Sequence, residues 1–257
     1  MKSRTQIFSA IAIAAIIGMS LQAKAYFTTN YGNFAGTTVT FVNVSETTIT
    51  ENNPLYRQPT VAANTLDFNP QGFGAFASGG GLDLTDGQLT LTILANNGSA
   101  IPTLNFWEAG DYSLIGSGTT NTYVDVTANY FINITKVDGV GITPINIMGT
   151  MSFNPVGTGT FTLPSNPGNG NLWNGMISVD INNALALANV PYLFGATEVQ
   201  FNFDNVLTAR SESGSISIIQ KKDFQGSVGI SVIVPEPSIL AMTLCGAGLL
   251  IARRNKR

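Results

Sequence analysis

Acidic residues are scarce enough in this 257-residue chain for their grouping to be weighed, and three groups stand close together. Asp83 and Asp86 lie in GGGLDLTDGQ, behind a triple glycine that lets backbone approach a ligand closely. Glu108 and Asp111 lie in FWEAGDYS beside Trp107 and Tyr112, and Glu46 and Glu51 lie in SETTITENN. Three chemistries suit such groups. Calcium collects carboxylate and carbonyl oxygens, which loops carrying Asp83, Asp86, Glu108 and Asp111 would supply, although their spacing is not that of an EF-hand. A glycan would stack on Trp107, Tyr112 or Trp173, with Asn and Asp as hydrogen-bond partners. Glycoside cleavage would pair Glu108 with Asp83 or Glu46, two acids roughly 5 to 10 Å apart in a cleft. Against all three stands the plainer role of acids that solvate turns and keep an acidic protein soluble.

Absences narrow the field further. The chain has no histidine, which removes Ser-His-Asp and Cys-His triads, histidine-based zinc sites and histidine acid/base chemistry together. The segment GFGAFASGGG lacks the Gly-Lys-Ser/Thr ending of a phosphate loop and reads as a strand running into a glycine-rich turn. Between Tyr26 and Val234 there are five basic and fourteen acidic residues, a net charge of minus nine, so nucleic acid is excluded as a partner. The single cysteine, Cys245, lies beyond that region and reads as a small apolar packing residue.

The elements that must position these residues are strands. GQLTLTIL places Leu89, Leu91 and Ile93 on one face and Thr90 and Thr92 on the other. TEVQFNFDNV sets Val199, Phe201 and Phe203 against Gln200, Asn202 and Asp204. TYVDVTANYFINITKV sets Val124, Val126, Ala128, Tyr130, Ile132 and Ile134 against Asp125, Thr127, Asn129, Asn133 and Thr135, long enough for one bent strand or two in succession. About a dozen short strands at turn-bounded spacing predict an all-β fold, an antiparallel β-sandwich of Greek-key or jelly-roll type spanning residues 26–233 as one domain. Only DINNALALAN predicts a helix, capped by Asp180 or Asn182.

The two ends share a grammar. Lys2 and Arg4, the apolar run from Ile7 to Leu21 and the small-x-small box Ala23-Lys24-Ala25 predict a signal peptide over residues 1–25, cut after Ala25. At the far end, Pro235-Glu236-Pro237 precedes an apolar run from Ser238 to Ala252 and a basic cluster of Arg253, Arg254, Lys256 and Arg257. Fifteen helical residues reach about 22 Å, short of the roughly 30 Å hydrocarbon core, so the run is a marginal anchor. Clustered bases stay cytoplasmic, which sends everything between the two apolar runs across the membrane.

These three ordered parts in residues 234–257 resemble the PEP-CTERM sorting signal, which exosortases of Gram-negative bacteria recognise. The resemblance implies that Pro235, Glu236 and Pro237 form the recognition element and that the Arg253 to Arg257 cluster is the stop-transfer end. It implies export through Sec, a transient stay of the transmembrane helix in the inner membrane, and sorting to the cell surface or extracellular matrix, where exopolysaccharide and biofilm formation are the associated setting. The expected protein is thus an exported, non-catalytic sandwich with polysaccharide as partner. A surface polysaccharide-active enzyme using carboxylates and a structural matrix or surface-array subunit are the competing readings.

Overall fold

The computed structural model describes residues 27–96, 98–222 and 227–234. Ala25, the Pro235-Glu236-Pro237 motif and the Arg253, Arg254, Lys256 and Arg257 cluster lie outside the described residues, as does the expected transmembrane run. Among the described residues no helix is long and apolar enough to cross a membrane.

Fifteen strands follow one another along the described chain. The first six are β1 (Phe27–Ala35), β2 (Val39–Thr48), β3 (Thr60–Ala62), β4 (Thr65–Phe68), β5 (Gly74–Ser78) and β6 (Leu82–Ala95). Then come β7 (Thr103–Gly116), β8 (Tyr123–Val137), β9 (Val140–Thr150), β10 (Phe153–Asn154), β11 (Thr160–Thr162) and β12 (Gly168–Asp180). After the helix α1 (Ile181–Leu187) the chain ends in β13 (Ala196–Arg210), β14 (Ser215–Lys221) and β15 (Val228–Ile233). All pairings are antiparallel and fall into two sheets. The first runs β1-β2-β6-β13-β8-β11 with β9 also on β8; the second runs β10-β12-β7-β15-β4-β3, with β14 and β5 joined to β7.

The alternation read from the sequence sets the inner faces. Leu89, Leu91 and Ile93 of β6, Val199, Phe201 and Phe203 of β13 and Val124, Val126, Ala128, Ile132 and Ile134 of β8 are all buried. They meet the inward residues of the second sheet, with the Phe106 and Phe203 rings 3.9 Å apart and Tyr112 stacked on Phe161 at 4.3 Å. Each fully buried large apolar side chain contributes on the order of 1.5 to 3 kcal/mol, and this layer holds the sandwich together. The sixteen-residue alternation around Tyr130 is one strand, β8, because β13 pairs with it along nearly its whole length. Asp180 caps α1, its carboxylate accepting the Asn183 amide at 2.8 Å.

Strand β7 organises the second sheet. Along one edge it pairs with β12 throughout; along the other it pairs first with β15, from Thr103 to Glu108, and then with β14, from Gly110 to Gly116. The expectation that Glu108 and Asp111 stand in a loop is therefore corrected, since both sit in mid-strand. Asp83 and Asp86 are likewise in a strand, because the glycine turn, with Gly79 and Gly80 at φ of 60° and 95°, ends before β6 begins.

Candidate functional site

Of the carboxylates singled out by sequence, most are tied to other parts of the chain. Glu108 points inward and is buried, with its carboxylate ion-paired to the ammonium of Lys221. Asn205, reaching from the opposite sheet, donates its side-chain amide to both Glu108 oxygens at 2.8 and 2.9 Å. The Lys221 ammonium lies 4.8 Å from the centroid of the Phe73 ring and 5.6 Å from that of Tyr56, and burial pulls its pKa well below the usual lysine value. Asp111 faces the other way; it accepts Gln220 at 3.0 Å and pairs with Lys222. Glu46 is buried too, and accepts the amides of Leu55, Tyr56 and Arg57 at 2.5, 2.8 and 2.9 Å. Burial raises its pKa, and burial, with the Glu46 charge second, raises that of Tyr31 beside it.

Those contacts correct two expectations about chemistry. A cleaving pair built on Glu108 with Glu46 cannot meet a sugar, because both acids are enclosed and engaged. The four expected calcium ligands divide between β6 and β7 on different sheets, and among the described residues no three acid or thiol groups gather to hold a metal ion. Asp83 instead accepts the Phe76 amide at 2.8 Å and Asp86 the Ile49 amide at 3.4 Å.

Two of the three expected stacking residues, Trp173 and Tyr112, are corrected in the same way. Trp173 is 1 % exposed, edge-on to Phe153 and pressed against Gly110, where a Cβ would come within 2.6 Å of the indole. Tyr112 is buried under Phe161. Trp107 is half-buried on the outer face of the second sheet, lying across Gly229.

An open polar surface lies on the outer face of the first sheet. Because paired residues of adjacent strands point the same way, antiparallel register aligns side chains in rows across it. One row runs Asn30, Ser45, Thr90, Asn202, Phe131, Met148 over six strands. The next holds Thr92, Gln200, Asn133 and Asn146, and a third holds Thr28, Thr47, Gln88, Asp204, Asn129 and Thr150. Between the first two rows is a groove of about 410 Å³, lined by Asn30, Thr90, Thr92, Phe131, Asn133 and Gln200 among others. The Phe131 ring is 44 % exposed at its end. On the same face the side-chain oxygen of Asn202 is covered, with no hydrogen-bond partner among the described residues. Burial raises the pKa of Asp204, in the third row.

Amides and hydroxyls at strand spacing, about 4.8 Å apart across the sheet, match the reach of one pyranose ring to the next, and an exposed ring supplies an apolar face for a sugar. The alternation of β6, β8 and β13 marks most of these positions as solvent-facing, yet it does not show that they share rows. Phe131 belongs to neither expected face of β8; an aromatic residue at a wet position in an Asn/Thr alternation is the signal that could have found it.

No family model matches the chain, and no curated protein matches it. Among solved structures it is similar to TmCBM61 in complex with β-1,4-galactotriose, at 7% identity and a TM-score of 0.24, over 82% of this chain and 90% of that one. It is also similar to the family GH12 endoglucanase 3 of Trichoderma harzianum, at 11% identity and a TM-score of 0.22, over 81% and 98% of the two chains. The enzymatically active domain of bacteriophage CBA120 tailspike protein 4 aligns at 15% identity and a TM-score of 0.21, over 81% of this chain and 19% of that one. Likeness of this degree carries no argument about what this chain binds.

Proposed function

We propose that the protein is an exported, non-catalytic surface or matrix protein that binds a polysaccharide along the row-lined face of its first sheet. The observation that carries this reading is the alignment of Ser45, Thr90, Asn202 and Phe131 beside Thr92, Gln200 and Asn133 across neighbouring strands. Such a surface presents donors, acceptors and one apolar ring to a chain of hydroxyls. The net charge of minus nine between Tyr26 and Val234 disfavours an anionic polymer, so a neutral glycan is the proposed ligand. Export and sorting complete the reading: Sec delivers the chain, residues 238–252 hold it in the inner membrane, and an exosortase acts at Pro235-Glu236-Pro237.

Binding is tested by affinity electrophoresis in gels containing neutral or acidic polysaccharides, with mass spectrometry of the sugar afterwards. Retardation by a neutral polymer that Phe131→Ala abolishes is the expected result. Mobility unchanged in every polymer would end the binding reading, and released oligosaccharides would replace it with an enzyme. Sorting is tested separately by the carboxy terminus of the surface-exposed protein; Arg257 retained in cells with the processing enzyme would overturn that part.

A further inference from the structure

One end of the sandwich carries an apolar tip that the fold holds out in solvent. Leu193 is 79 % exposed, and Val140, Tyr192, Phe194 and Ile233 are exposed with it. Their common location follows from pairing. Thr103, which opens β7, pairs with Asp180 at the end of β12 and with Ile233 at the end of β15. Helix α1 starts one residue after Asp180, and the Ile181 amide binds the Pro102 carbonyl at 2.9 Å. The Ile101 amide binds the carbonyl of Ala196, where β13 begins, at 2.8 Å, and Ala196 pairs with Val137, three residues before Val140.

The apolar loop at residues 192–195 is also tied down by hydrogen bonds. Asp138, in the β8–β9 turn, accepts the amides of Leu193, Phe194 and Gly195 at 2.6, 2.9 and 3.0 Å, and returns its own amide to the Gly195 carbonyl at 3.0 Å. The backbone is satisfied by a carboxylate while the side chains are left outside. A soluble surface gains nothing from that arrangement, and clustered exposed apolar groups mark an interface.

The exit of the chain identifies the partner. After Ile233 and Val234 only Pro235, Glu236 and Pro237 intervene before the apolar run that starts at Ser238. Four residue steps span at most about 14 Å, so an anchored chain keeps this end of the sandwich within that distance of the hydrocarbon. The headgroup layer is itself about 5 to 7 Å deep on each side. We propose that the tip formed by Tyr192, Leu193 and Phe194, with Val140, rests in the interfacial layer of the lipid bilayer and orients the domain on the membrane. The inference rests on the anchoring part of the proposed function and is independent of glycan binding. Tyr192 has the ring-plus-hydroxyl character favoured at that depth.

The test uses the full chain carrying Cys245→Ser and one new cysteine bearing an environment-sensitive fluorophore, in vesicles of phosphatidylethanolamine and phosphatidylglycerol. Probes at Leu193→Cys and Val140→Cys are compared with one at Leu172→Cys, 63 % exposed and eight strand positions from Thr103 along the β7 pairing. Blue-shifted emission at 193 and 140, quenched severalfold more by shallow nitroxide lipids than at 172, is the expected result. Equal, water-like emission at all three sites overturns the proposal. So does a blue shift that ignores the lipid quencher and grows with protein concentration, which would assign the tip to a second copy of the chain. Flotation after an alkaline wash reports on the anchor alone, so a failed anchor and a dry-docked tip give separate readings.

Discussion

Asn205 of the first sheet grips both carboxylate oxygens of Glu108 in the second, at 2.8 and 2.9 Å, beside the buried ammonium of Lys221. A charged cluster thus spans the interior where apolar packing would otherwise be continuous. Its members lie at positions 108, 205 and 221 and meet only because β14 ends on β7 just beyond Glu108.

That cluster should respond asymmetrically to substitution. Glu108→Ala leaves the Lys221 charge buried without its partner and should cost about 3 to 5 kcal/mol in urea unfolding. Glu108→Leu combined with Lys221→Met should recover most of that loss, since the buried charges go together. Additive single and double losses would show that the pair is not coupled.

Trp173 provides a separation of stability from binding. Truncating it to Ala opens the layer against Phe153 and should cost about 3 to 5 kcal/mol in chemical denaturation. The affinity of the remaining folded protein for polysaccharide should stay within a factor of two. A selective loss of binding would restore the indole as a contact.

On the groove the expectation reverses. Gln200→Ala and Thr92→Val should each weaken glycan binding by about two- to tenfold, the worth of one neutral hydrogen bond, with melting temperatures within about 2 °C of the parent. Phe131→Ala should cost roughly thirtyfold, as a truncated aromatic anchor does. Isothermal titration beside differential scanning calorimetry checks all three.

Acid should loosen the apolar tip. Three backbone amides hold the Asp138 carboxylate below its usual pKa, chiefly that of Leu193, so its contribution is present above the ordinary aspartate value near 3.8 and is lost as pH falls through the lowered one. Protection from hydrogen exchange at Leu193, Phe194 and Gly195, measured against the intrinsic rate at each pH, should therefore be high at neutral pH and fall selectively at strongly acid pH. Asp138→Asn should already exchange fast at neutral pH.

Sequence made the inner faces legible because burial imposes a period of two that β6, β8 and β13 keep with few breaks. It also marked Gln200, Asn202, Thr90, Thr92 and Asn133 as solvent-facing. What it could not supply was register: the row joining Ser45, Thr90, Asn202 and Phe131 depends on pairings between strands far apart in the chain. The inward turn of Glu108 was hidden for the same reason. Its partner Lys221 is 113 residues away, and an acid beside Trp107 and Tyr112 reads locally as a surface site. Tyr112 and Trp173 misled because a large aromatic side chain looks alike in sequence whether it covers a core or a ligand.

The last described strand, β15, lies between β7 and β4. Residues 228–233 therefore supply hydrogen bonds to both neighbours, and a chain emerging amino terminus first has a vacant slot in its second sheet until those residues arrive. Under the proposed export, completion of the fold would be timed by the end of translocation: the domain would stay open while it threads the membrane and close as its final strand clears the channel.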